Sequence, residues 1–367
     1  MYIIKGKRLT FCNYIIIYVL KYCKINLLKV EDTLMEMVNW GIMSAANIAF
    51  DEVVPALRRS SRAIVKGIAT KTPQKAKRFQ IENVFTSYEE LINDEHIHAI
   101  YIPLPNSLHA EWAIKAMERG KHVLLEKPAA LTEKEMYNMK EVAESSNVIL
   151  MEAFMYQFHK QHKRVKEILE SKIIGEYRHL KAHFSWMLPD ENDIRLNPDL
   201  GGGAMRDVGC YGFHALTQII GFKPVNVSMT GSLKNVRPDN PGVDLTSTCV
   251  LIDEQGRTAT ITASMEHPFL DRYEIIGELG AITLNSSFRP DLSVDKRGKL
   301  VVKDKNGIVT IKETFEDDQY LNQIEHFQDC ILEGEKPIYN MEQSVEMSRF
   351  LEKSYKSIYN NSSLTKI

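Results

Sequence analysis

Val38-Asn39-Trp40-Gly41-Ile42-Met43-Ser44-Ala45-Ala46-Asn47 opens a regular alternation of apolar runs and helix-like stretches. Val38–Met43 reads as a short apolar strand. Residues 47–60 read as a helix with Ile48, Val53, Val54 and Leu57 on one side. The alternation continues downstream. Ala63–Ala69, 84–85, 98–102, His122–Leu125 and 148–153 predict strands, whereas 88–92, 108–119 and 132–145 predict helices. Gly120 stands where a left-handed residue closes a helix. Thr132 with Glu135 three residues on is a capping-box pattern. Strands and helices alternating at this spacing predict βαβ units and a parallel sheet.

In such a unit the first strand–turn–helix is the place for a dinucleotide pyrophosphate. Of the G-x-G-x-x-G pattern only Gly41 remains, with Met43 and Ala46 in the other two places. Alanine is tolerated at the third place. Methionine at the second is a departure expected to move backbone or phosphate outward, and a plain strand–helix connection is the competing reading. The second strand ends in Ala69-Thr70-Lys71-Thr72, without the acidic residue that would bind a ribose 2′-hydroxyl. Thr70 and Lys71 instead suit a 2′-phosphate, which favours NADP over NAD. The competing reading of Lys71 is a solvated loop charge.

His122–Leu125 runs into Glu126-Lys127-Pro128, which places an ionisable lysine on the carboxyl edge of the predicted sheet, where open α/β sheets bind ligands. Proline after it restricts Lys127 to extended backbone. There the ammonium can position and polarise a substrate oxygen. An exposed Lys-Pro turn is the alternative.

After Phe154 the period changes. Residues 175–184, 224–233, 245–252, 257–265 and 272–284 carry alternating apolar positions separated by turns such as Asp253-Glu254-Gln255-Gly256. They predict a mainly antiparallel open sheet with helices on one face. Helices are expected over Gln319–Leu332 and 341–357, returning to the first domain. The expected organisation is an N-terminal extension over 1–36, a Rossmann dinucleotide-binding domain over 37–157, and a substrate and oligomerisation domain over 158–367.

Gly201-Gly202-Gly203-Ala204-Met205-Arg206-Asp207-Val208-Gly209-Cys210-Tyr211 is the second dense signal. The glycines allow close backbone approach. Asp207 and Tyr211, four apart, share one helix face. A carboxylate and a phenol there can bind two substrate hydroxyls or relay a proton, and a nearby lysine would lower the phenol's pKa. The competing reading is a helix-start carboxylate and a half-buried core tyrosine.

Taken together, Glu126-Lys127-Pro128, the upstream Pro103-Leu104-Pro105-Asn106-Ser107-Leu108-His109 and the Gly201–Tyr211 run, in this order and at these distances, resemble the Gfo/Idh/MocA oxidoreductases from about Val38 to the C-terminus. Met151-Glu152-Ala153-Phe154-Met155-Tyr156-Gln157-Phe158-His159 is similar to the branch holding dihydrodiol dehydrogenase, NADP-dependent xylose dehydrogenase and glucose–fructose oxidoreductase. Many members of the wider family carry histidine where this chain has Tyr211, and tyrosine also points to that branch. The resemblance implies that Lys127 contacts nicotinamide ribose and substrate oxygen, that Tyr211 is the acid/base, and that Asp207 orients the substrate. It places Pro105, Asn106 and His109 on the nicotinamide side, with Glu126 fixing the cofactor. Gly41, Ser44, Ala45 and Asn47 would approach the pyrophosphate. Phe158 and His159 would face the pocket between the domains, and Arg195 is a further substrate candidate.

The expected activity is hydride transfer between nicotinamide and a sugar, cyclic polyol or dihydrodiol-type alcohol or carbonyl. Two rival classes are an NAD-dependent glycoside hydrolase that oxidises its substrate transiently and a non-catalytic nucleotide sensor. Intact Lys127, Asp207 and Tyr211 argue against the sensor.

Bulk properties agree with this reading. The chain has 367 residues, a formal net charge of -2 and a pI near 6.6, which argue against nucleic acid or an anionic membrane as main partner. Five dispersed cysteines without a Cys-x-x-Cys suggest reduced thiols and a cytoplasmic protein. His96 with His98, and His159 with His162, lack the partners of a zinc site, so no metal is expected. Residues 11–20 form an apolar run too short to span a bilayer. Lysines rather than a cleavage site follow it, so 1–36 is expected to be a poorly ordered extension, with Met35 or Met37 as the natural first residue. An outward antiparallel face implies a homodimer or higher homo-oligomer.

Overall fold

The computed structural model describes residues 37–367, and the expectations for 1–36 lie outside the described residues. Six strands form a wholly parallel sheet: β1 (Val38–Met43), β2 (Ala63–Ala69), β3 (Asn83–Phe85), β4 (Ala99–Ile102), β5 (His122–Leu125) and β6 (Leu150–Glu152), in the order β3-β2-β1-β4-β5-β6. Alternate residues go to opposite faces of a strand. Val38, Trp40, Ile42, Ala99, Tyr101 and Leu124 join one buried cluster, and Met43, Ile100, Ile102, Val123 and Leu125 join another. A parallel sheet buried on both faces has this signature. The expected capping box is present, with Thr132 accepting from Glu135 N and closing the start of the helix Glu133–Ser145. Gly120 has the left-handed φ of +71°.

Strand order reverses between β1 and β4, and at such a switch point the loops leaving the two carboxyl ends part and open a crevice.

The second sheet has nine strands: β7 (Tyr177–Met187), β8 (Pro224–Lys234), β9 (Val243–Asp253), β10 (Thr258–Ser264), β11 (Glu266–Gly277), β12 (Gly280–Asn285), β13 (Gly298–Asp304), β14 (Val309–Phe315) and β15 (Thr365–Lys366). Their order is β14-β13-β12-β11-β7-β10-β9-β8-β15, antiparallel except where β7 meets β10. Leu180, Ala182, Phe184, Cys249 and Leu251 point into the core, whereas Val250 and Met187 are exposed on the other face. The helices Gln319–Leu332 and Met341–Tyr359 pack back on the first sheet. Phe327 lies 5.4 Å from Trp40, ring to ring, and Arg349 pairs with Glu133 at 2.7 Å. Burying Phe327 against Trp40 is worth about 2–3 kcal/mol per side chain, far more than the half-exposed ion pair.

Candidate active site

A cleft of about 920 Å³ runs along the carboxyl edge of the first sheet and is closed from the other side by β7, the 188–203 loop and the helical run 204–219. The loops after the strands supply one wall. Ser44–Ile48 follow β1, Thr70 and Lys71 follow β2, Pro103–Asn106 follow β4, and Glu126 and Lys127 follow β5.

At one end, β1 continues through Met43, which pairs with Ala69 and is fully buried. The sharp turn comes one residue later, where Ser44 has φ +105°. This corrects the reading of the glycine pattern. Met43 is a core strand residue and displaces nothing, and Ser44 occupies the backbone conformation that suits glycine. Ser44, Ala45 and Asn47 line the cleft, but Gly41 does not. It is buried within β1, where an added Cβ would lie 3.0 Å from Leu91 Cδ1, so it serves sheet packing. Thr70 is buried and its hydroxyl accepts from Thr72 N at 3.1 Å. Lys71 and Lys75 line this end and form no ion pair among the described residues. Arg78, which the sequence reading passed over, donates to Ala45 O and Asn47 Oδ1 and stacks on Phe50, again without a carboxylate.

In the middle, Lys127 Nζ donates to Asp207 O at 2.6 Å and pairs with Asp207 Oδ1 at 3.2 Å. Arg195 Nε lies 3.0 Å from Asp207 Oδ2, and Trp186 Nε1 donates to that oxygen at 3.2 Å. Burial opposes the Asp207 carboxylate, but Arg195 and Lys127 hold its pKa well below the usual carboxylate range. Burial is the largest influence on the Lys127 ammonium and opposes it, but Asp207 together with Cys210 and Glu126 outweighs it, so that pKa is raised. Glu126 is partly buried beside them, its pKa raised by desolvation, and accepts from Tyr101 Oη at 2.6 Å. Behind the turn, Glu152 Oε1 accepts from Ala129 N at 2.9 Å. Its other oxygen has no hydrogen-bond partner among the described residues, and burial pushes its pKa up to about 7.

Tyr211 reaches the same point. Lys127 Nζ stands 5.0 Å from its ring centroid, and among the described residues its hydroxyl meets only the Met155 sulfur, at 3.6 Å. The expected depression of its pKa is not found. Burial, reinforced by the Glu126 carboxylate, drives it well above the ordinary value. The lysine's charge is committed to Asp207, so desolvation wins.

The glycine run explains how these groups converge. An added Cβ on Gly203 (φ +121°) would collide with Tyr355 Oη and Asp244 Oδ1, and one on Gly202 with the Arg195 carbonyl. The close approaches let Gly203 N donate to Arg195 O at 3.0 Å and Asp244 Oδ2 accept from Met205 N at 2.8 Å. The Arg195 loop and the start of the Asp207 run are thereby clamped together.

Pro105, Asn106, Glu126, Lys127, Arg195, Asp207 and Tyr211 all line the cleft. Besides Gly41, three expected residues do not. His109 is buried behind the wall, Nδ1 2.9 Å from Pro128 O and Nε2 2.8 Å from Leu104 O, and burial lowers its pKa to about 4. It braces the loop that carries Pro105 instead of lining the nicotinamide side. His159 is buried at the start of the helix Lys160–Glu170 and accepts from Gln161 N. Phe158 packs on His326, 5.3 Å between ring centroids. The 3-10 turn at Met155–Phe158 carries both away from the cleft and leaves Met155 in it. Residues missed by sequence reading are Trp186, Phe184, Phe269, Arg289 and Tyr320. Phe184 and Trp186, two apart on β7, were findable by strand alternation. Arg289 and Tyr320 arrive from distant segments.

A dinucleotide fits this arrangement. The Ser44 turn exposes backbone at the sheet edge, and among the described residues two lysines stand without carboxylates and the buried Tyr320 hydroxyl in the cleft wall has no partner. A family model described as oxidoreductase family, NAD-binding Rossmann fold, matches residues 38–154, and one described as GFO/IDH/MocA C-terminal domain matches 162–283.

The chain belongs to the GFO/IDH/MocA oxidoreductase family.

It is similar to D-xylose 1-dehydrogenase (NADP(+)) 2 of Haloferax volcanii, 33% identical over 87% of this chain and 96% of that protein. It is also similar to the dTDP-3,4-didehydro-2,6-dideoxy-alpha-D-glucose 3-reductase of Actinomadura kijaniata, 31% identical over 81% of this chain and 88% of that protein. Among solved structures, a 3-ketoreductase from Actinomadura kijaniata in complex with NADP and TDP-benzene superposes with a TM-score of 0.81 at 30% identity, over 88% of this chain and 98% of that one. This family member is thus a nicotinamide-dependent oxidoreductase, as its motifs led one to expect. No helix among the described residues is long and apolar enough to cross a membrane.

Proposed function

We propose that the protein interconverts a CH–OH group and a carbonyl on a sugar, cyclic polyol or dihydrodiol-type substrate, with NADP preferred. The observation that carries this is the convergence of Lys127 from one wall with Asp207 and Tyr211 from the other, in a cleft whose far end offers cations unpaired among the described residues. When bound, the nicotinamide supplies or accepts the hydride. Ser44, Ala45 and Asn47 would hold the pyrophosphate, Thr70 and Lys71 the 2′-phosphate, and Pro105, Asn106 and Glu126 the nicotinamide half.

Tyr211 handles the proton. A phenol kept neutral by burial can donate to a substrate oxygen, and its weak Met155 contact leaves that O–H available. Lys127 stabilises negative charge on that oxygen or on the phenolate, acting as electrostatic partner. Asp207 keeps the ammonium protonated and fixed, and its second oxygen, held by Arg195 and Trp186, orients the substrate side. The exposed face carrying Met187 and Val250 supports pairing into a homodimer or higher homo-oligomer; a monomeric mass in sedimentation would refute that part.

The test is turnover of aldoses, polyols and dihydrodiols with NADP against NAD. Lys127→Met and Tyr211→Phe are each expected to lose about 10²–10⁴-fold in kcat while still binding NADPH. Full turnover by either variant removes that residue from the mechanism. Hydrolysis of a nitrophenyl glycoside without added NADP would overturn the dehydrogenase reading.

A further inference from the structure

We infer that the substrate end of the cleft is built for an uncharged polyhydroxylated molecule, a free aldose or polyol, and disfavours sugar phosphates and nucleoside diphosphate sugars. This rests on the oxidoreductase reading above and chooses between the two kinds of substrate carried in the names of the relatives.

The choice comes from charge balance. From residue 155 onward, the charged side chains lining the cleft are Asp193, Arg195, Asp207 and Arg289. Both arginines are already held by two carboxylates. Arg195 lies 3.2 Å from Asp193 and 3.0 Å from Asp207. Arg289 lies 2.9 Å from Glu52 and 2.6 Å from Asp291. Lys127, from the opposite wall, is paired with Asp207. A phosphate entering here would find no unpaired cation among the described residues and would have to pull an arginine from two buried or half-buried carboxylates, leaving them uncompensated.

Beyond the 188–199 loop the second depression of the surface, about 540 Å³, is worse for an anion. Glu191, Asp193 and Asp199 line it against one cation, Arg237, itself paired with Asp199 at 2.6 Å and Asp239 at 3.8 Å. A diphosphate extending out of the cleft along this side meets acid. What the substrate end does offer is Phe184, Trp186 and Phe269 for the C–H faces of a ring, with Asn192 and the remaining acceptor capacity of the Asp193 and Asp207 carboxylates for hydroxyls. Aromatic faces and carboxylate acceptors recognise neutral polyols. The unpaired cations lie at the opposite end, with Lys71 and Lys75.

The experiment measures kcat/KM and, separately, binding by titration calorimetry to the NADP-saturated protein. The probes are neutral aldoses and polyols, their monophosphates, and TDP-glucose. The best neutral compound is expected to exceed every phosphorylated one by at least about tenfold in both measurements. Its KM should stay constant between about 20 and 500 mM salt, since no ion pair with substrate is screened. Preference for a phosphorylated compound, a KM for the preferred substrate that rises with salt, or no binding of any neutral compound overturns the inference. Where nothing turns over, tighter binding of neutral compounds upholds it while the dehydrogenase reading fails.

Discussion

The two ends of the cleft are made of similar residue types and treat charge in opposite ways. At the proposed cofactor end Lys71 and Lys75 stand free of carboxylates among the described residues, and Arg78 donates only to neutral acceptors there. At the substrate end Arg195 and Arg289 each have two carboxylates. A cation's presence therefore says little about whether an anion binds near it; its existing partners decide. Lys127 sits where the ends meet, and Asp207 assigns its charge to the substrate side.

Removing that assignment should break the contrast most severely. Asp207→Asn leaves Lys127 and Arg195 buried or half-buried without their shared partner, which should cost about 3 kcal/mol at neutral pH. In the parent protein the Asp207 pKa is depressed on folding, so its stabilisation is complete above the ordinary carboxylate value and is lost as pH falls through and below about 4. The variant should show a flatter acid limb in denaturation curves at graded pH. It should also become inhibitable by sugar phosphates, since its substrate end now resembles the other one. Unchanged stability with no anion inhibition would show that the two ends do not differ for the reason given.

A smaller effect is expected at the opposite end. Lys71→Ala should weaken NADPH by about tenfold and leave NADH unchanged in fluorescence titrations, because only the 2′-phosphate is addressed. Equal losses for both would return Lys71 to a general loop charge. The smallest change is Ser44→Gly. A side chain at φ +105° carries a backbone cost of order 1 kcal/mol, so the variant should unfold at slightly higher denaturant. A lower midpoint would mean that the serine hydroxyl contributes more than the strain removes.

The parallel sheet was legible because its period is local. Alternating residues such as Trp40 and Ile42 against Met43, or Ile100 and Ile102 against Tyr101, separate into two cores by geometry that any short window reveals. The Thr132 capping box and the turn at Gly120 were legible for the same reason. Lys127, Asp207 and Tyr211 were recoverable because each sits in a short motif with unusual composition. His109, Phe158 and His159 were misplaced although their motifs were recognised, since a one-residue difference in where a 3-10 turn begins decides which side chain faces a cleft. Arg289 and Tyr320 had no local signal. Arg289 is aimed by Asp271, whose buried carboxylate accepts from the backbone of Ser287, Phe288 and Arg289, eighteen residues away at most.

By itself, then, the sequence determined the two-sheet architecture, the nucleotide-binding edge and the lysine, carboxylate and tyrosine that share it. These follow from side-chain periodicity and from residue types whose chemistry does not depend on neighbours. The tertiary structure alone decided the protonation of Tyr211, the site of the sharp turn at Ser44 and the pairing of every arginine in the cleft. Desolvation and ion pairing depend on what lies a few ångströms away in space, and Lys127 and Asp207 are 80 residues apart along the chain.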